Sequence, residues 1–148
     1  MESIRSGDDL MVRLDPGEEI HASLQALCAA EGITSAAVTS GIGRVCDIDV
    51  GFLGSEGVYQ RVVLSRSMEL LSCQGNVAEF DDSPFTHIHI VLSDDLHRVH
   101  GGHLFSAHVA VTAELHLRVL DAAGPMTRCS IPESEFKPLR FSADGSAD

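Results

Sequence analysis

The chain has 148 residues, 44% of them apolar and 22% charged, which suits one globular domain and excludes a fibrous or largely disordered segment. Its 22 acids face 10 bases for a formal net charge of -12, and Lys137 is the only lysine. A free-standing nucleic-acid binder needs a basic stripe for the phosphates, so direct DNA binding is not expected.

The opening stretch 1–9 lacks the apolar heart of a secretion signal. No apolar run approaches the ~20 residues that span a bilayer. The expected location is the cytoplasm. Tryptophan is absent, leaving the core to Val, Ile, Leu and Ala. Cys28, Cys46, Cys73 and Cys129 are scattered, with no CxxC and no zinc-ribbon spacing, and read as small buried hydrophobes.

In chain order, Leu10, Val12 and Leu14 alternate with Met11 and Arg13 and predict a strand. Asp15-Pro16-Gly17-Glu18 follows, with Asp at the expected N-cap, Pro at the first helical position and Glu closing a capping box. Ile20, Leu24, Leu27 and Cys28 recur at helical spacing, and Gly32 is placed to end the helix with Ile33 folding back. Almost everything beyond reads as strand. Residues 34–40 end in Gly41-Ile42-Gly43; Cys46, Ile48, Val50 and Phe52 predict a dry face opposite Asp47 and Asp49. A turn at 55–57 sends 58–64 back as a hairpin partner. Strand 68–73 is expected to break at Gly75-Asn76, and 81–84 reads as a loop. In 86–92, Ile88, Ile90 and Leu92 face one way and His87, His89 and Val91 the other. A long strand, 108–120, is expected to carry Val109, Val111, Ala113, Leu115, Leu117 and Val119 on one face. A turn at 122–125 leads into an irregular segment anchored by Phe136, Leu139 and Phe141. One early helix followed by antiparallel strands predicts an α+β domain over residues 1–141, a sheet or open barrel covered by one main helix, with a flexible tail at 142–148.

His87-Ile88-His89 and His100-Gly101-Gly102-His103 carry the chemistry. Strand residues two apart share a face, so two imidazoles reach toward one ion. A third, His103, returned by glycines that permit close backbone approach, completes a facial set with a position open for water or substrate. Zinc, nickel, cobalt and copper all suit three imidazoles. HxH alone is a weak signal, and histidines scattered over an acidic surface are the competing explanation. His21, His97, His108 and His116 show no comparable arrangement.

Pro84-Phe85-Thr86-His87-Ile88-His89, then Gly101-Gly102-His103-Leu104 and Thr112-Ala113-Glu114-Leu115, resemble the core signature of the PPC (plant and prokaryote conserved) domain family. So do the stretches 14–20, 40–43 and 68–76, in order, from about Leu10 to Leu120. The resemblance implies an α+β fold around an antiparallel sheet, assembly as a homotrimer, and a divalent metal, usually zinc, on His87, His89 and His103. Plant relatives add an AT-hook peptide that binds DNA. No such peptide occurs here, and Arg66-Ser67-Met68-Glu69-Leu70-Leu71 stands where their partner-binding Gly-Arg-Phe-Glu-Ile-Leu would be.

Four further residues are candidates near the site. Glu69 reads as a metal neighbour, an interface ion pair or a solvated acid. Glu114 reads as a structural residue or one orienting a ligand histidine. Arg44 reads as a surface charge or an anion contact, and His100 as a substitute ligand. Three functions follow in order: a trimeric metal-binding module that is regulatory or senses a small molecule, a metal-dependent enzyme, and a DNA-associated regulator. No G-x-S-x-G nucleophile motif is present, and no general base accompanies the histidines in sequence.

Overall fold

The computed structural model describes residues 1–120, 122 and 124–141; the expected tail and part of the expected turn at 122–125 lie outside them. Among the described residues, nine strands and one α-helix run in the order β1 (Glu2–Ser6), β2 (Asp9–Leu14), α1 (Ile20–Glu31), β3 (Ala36–Leu53), β4 (Tyr59–Leu64), β5 (Met68–Phe80), β6 (Ser83–Ser93), β7 (Val99–Val119), β8 (Met126–Arg128) and β9 (Leu139–Phe141). β3 pairs with both β5 and β7, and β6 pairs with the same two strands, so these four close a ring of antiparallel ladders. β2 extends it beyond β7 and β4 beyond β3. The expected α+β class and single main helix are observed.

Helix α1 lays Ile20, Leu24, Leu27 and Cys28 against β6 and β7. It ends as expected: Gly32 takes a left-handed φ of 66° and the Ile33 amide donates to Cys28 O at 2.8 Å. Its start differs. Gly17 has φ 87°, outside helical space, so 15–18 forms a turn in which the Asp15 amide donates to the Glu18 carboxylate at 2.6 Å. The N-cap is Glu19, whose carboxylate accepts from the Ala22 amide at 2.7 Å.

Several predicted breaks are continuous strand. β3 runs through Gly41-Ile42-Gly43, because the glycines serve close approach: a Cβ on Gly41 would stand 2.7 Å from Cys73 Cβ. β5 runs through Gly75-Asn76 to Phe80. The expected loop at 81–84 is a two-residue hairpin turn with Asp81 and Asp82 both at positive φ, which places Pro84 in β6. Two exposures differ from the expected pattern. Val111, expected inside, is exposed because the register shift opposite Arg44 interrupts the alternation on β7, and Phe52, also expected inside, is exposed near the end of β3 beyond the buried Ile48 and Val50. β6 keeps its predicted faces, with Ile88, Ile90 and Leu92 at 2% exposure or less. Each contributes ~1.5–3 kcal/mol by burial.

Candidate metal centre

The β5–β6 turn fixes a register that sets His87 opposite Asn76 and His89 opposite Gln74; across β6, His89 faces His103 of β7. Gly75 makes the approach possible, since a Cβ there would lie 1.9 Å from the His87 carbonyl oxygen. Gly101 and Gly102 sit within ladders, where a Cβ would meet Ile90 O at 2.5 Å and Gly51 O at 2.8 Å. They bring β7 close to its neighbours.

The three rings converge. Their centroids lie 4.9–5.3 Å apart, and one nitrogen of each falls within 4.8 Å of the others. His87 Nε2 and His89 Nε2 are 3.3 Å apart. The donor set suits a cation. His103 Nδ1 is buried without a hydrogen-bond partner, and three nitrogens sharing so small a volume are the neutral ligands a divalent ion takes. Burial pushes His87 down to about 4, helped by the nearby Arg128 guanidinium and His89, and burial holds His103 near 4 as well, aided by His87 and His89. Both rings therefore keep lone pairs free at neutral pH. His87 Nδ1 faces Arg128 Nη2 at 3.1 Å. A guanidinium only donates, so Nδ1 accepts here and the ring's proton sits on Nε2; to hold an ion through Nε2 as a neutral ligand, the ring would carry its proton on Nδ1 and give up the Arg128 contact.

Side chains that sequence reasoning missed surround this set. Tyr59 of β4 stacks on His103 at 4.7 Å, and Phe105 meets its edge at 4.8 Å. Arg128 also donates to Asn76 Oδ1 at 2.6 Å. His21, which had no assigned place, spans Thr86 Oγ1 (2.6 Å) and Leu104 O (3.0 Å) and ties α1 to both histidine-bearing strands. A cleft of about 440 Å³ opens beside His87 and His103, walled by His21, Tyr59, Phe85 and Arg128. Asn76 lay within a motif already singled out; Arg128 sits in a three-residue strand too short for any periodicity to reveal.

The structure gathers His87, His89 and His103 but not the four further candidates. Arg44 donates to Glu69 at 2.8 Å across the β3–β5 ladder, both exposed and neither in the cleft. Glu69 lies opposite Ser93, four residues along β6 from His89. His100 is 3.1 Å from Asp94 in the β6–β7 connection, where Asp94 also accepts from the amides of Leu96 and Arg98. Glu114 is exposed on β7 beside Arg13 and Ile42.

Residues 1–121 match the family model described as the Plants and Prokaryotes Conserved (PCC) domain. No curated protein matches. Among solved structures, a plant- and prokaryote-conserved (PPC) protein of Pyrococcus horikoshii is 27% identical, with a TM-score of 0.78 over 99% of this chain and 96% of its own. A metal-containing protein of Archaeoglobus fulgidus is 29% identical, with a TM-score of 0.80 over 92% and 95%. A Bacteroides thetaiotaomicron protein whose name proposes DNA binding shares the fold, with a TM-score of 0.86 over 95% and 96% at 22% identity.

Proposed function

This chain belongs to the Plants and Prokaryotes Conserved domain family, and from that premise we propose that it is a homotrimeric zinc protein whose three-histidine centre serves a regulatory or small-molecule-sensing role. The convergence of His87, His89 and His103 carries the reading. The metal-containing relative from Archaeoglobus supports it. Three neutral imidazoles leave a bound divalent ion its full charge, so it would polarise a ligand oxygen or acidify a water. The cleft beside the histidines gives a ligand a place to lie. Exposed apolar side chains on the β3–β4 hairpin, Phe52, Val62 and Val63, support self-association.

A metal-dependent enzyme is the second reading, favoured by the same open cleft. DNA association ranks third, opposed by the net charge of -12. Elemental analysis of protein purified without added metal tests the first reading. Wild type should carry zinc and His87→Ala should lose it; equal content in both removes the site from the account. Light scattering should give three times the 15.8 kDa chain, and a single-chain mass refutes the trimer. Turnover of a compound found by thermal shift would promote the enzymatic reading. In a mobility shift at near-physiological salt no DNA complex should form; tight binding there would overturn the charge argument.

A further inference from the structure

Arg128 is the group in the cleft that the metal centre does not explain. The residue is only 7% exposed, yet it touches no carboxylate among the described residues. Its bonds are all to neutral acceptors: Asn76 Oδ1, Lys137 O and His87 Nδ1. Nε is buried with no partner at all. A buried cation without an anion costs several kcal/mol, and proteins keep such an arrangement where a ligand completes it. Lys137, the only lysine of the chain, lines the same cleft, its Nζ 5.3 Å from the Phe80 ring centre and 5.7 Å from that of Phe85. Among the described residues Glu135 is the one acid on the wall, and its carboxylate accepts from the Tyr59 amide at 2.7 Å. In a protein with more than twice as many acids as bases, this local excess of positive charge is a specific feature. Tyr59, Phe85, Phe105 and Phe136 supply the flat apolar part of the wall, beside the polar His21, Gln25 and Thr86.

We propose that this cleft binds a small organic carboxylic acid, its carboxylate held by Arg128 and Lys137 and its apolar body lying among Tyr59, Phe85, Phe105 and Phe136. Arg128 and Lys137 supply positive charge and their uncommitted N–H donors for a carboxylate, and the aromatic rings match a flat or aliphatic body. The bound acid then lies beside His87 and His103, within the same cleft. This deepens the ligand-sensing reading of the metal centre and rests on the cleft being its ligand pocket.

The test is calorimetric titration of wild type with benzoate, phenylacetate and 3-phenylpropionate, and with the corresponding amides, on zinc-loaded and chelated protein. Zinc is measured on every sample. At least one acid should bind, with its amide ~10-fold or more weaker, the loss expected for an ionic hydrogen-bond pair. Arg128→Gln should weaken the acid by a similar factor and leave the amide unchanged, and Arg128→Lys should recover part of the loss. The comparison of acid with amide on wild type stands even if Arg128 variants fold poorly. Equal affinity for acid and amide, or no acid binding in either form, overturns the proposal. Zinc bound without acid binding leaves the metal centre standing and removes this inference. Charge-dependent acid binding by a protein that takes no zinc does the reverse.

Discussion

Acidification of the metal-free protein is the perturbation with the clearest energetic signature. His87 and His103 titrate near 4 in the folded chain, against 6.5 for an ordinary histidine. A histidine held below its unfolded value stabilises the fold above that value and loses its contribution as pH falls toward the folded one. The window is therefore 6.5 down to about 4. Between pH 7 and pH 5 a fully buried ring would forfeit ~2 kcal/mol; halving this for partial exposure and mutual coupling leaves ~2 kcal/mol for the two together. Urea unfolding of chelator-treated protein at both pH values measures it, with a His87→Gln/His103→Gln double variant as the reference that cancels every other titrating group. Wild type should lose ~2 kcal/mol more than the variant across this interval. Parallel pH dependence in the two proteins would refute the claim that these rings are held neutral by burial.

Gly75→Ala should cost more than the ~1–3 kcal/mol typical of overpacking, because the new Cβ meets the backbone oxygen of His87 at 1.9 Å, and backbone does not rotate away. A wild-type melting temperature in that variant would contradict the close approach. Ile88→Ala, under the two histidines at 0% exposure, should lose ~2–5 kcal/mol in denaturant unfolding, and a loss below ~1 kcal/mol would place that face outside the core. Arg44→Ala breaks an exposed pair and should cost less than ~1 kcal/mol with zinc content unchanged. Lost metal there would return Arg44 and Glu69 to the site.

The centre was legible where local geometry alone decides it. His87 and His89 share a face by the two-residue period of any strand, and Ile88, Ile90 and Leu92 on the other face fix which way they point. What the pattern concealed was set at long range. Gly41 and Gly75 read as strand breaks, because a sequence does not show that a neighbouring strand will pass within 3 Å of a missing Cβ. The capping-box reading at Asp15 failed for a local reason: Gly17 adopts a left-handed φ that stops the helix from starting there. Glu69 and Arg44 both looked available for the site until the register of β3 on β5 placed them opposite each other. Arg128 and Tyr59 reach His87 and His103 from β8 and β4, and no spacing along the chain announces that meeting.

Zinc X-ray absorption spectroscopy on protein purified without added metal tests the central claim most directly. The spectrum should show about three imidazole nitrogens at ~2.0–2.1 Å, with the characteristic outer scattering of the rings. That signal should vanish in His103→Ala. Sulfur scattering at ~2.3 Å, or a first shell of oxygen alone, would contradict a three-histidine centre.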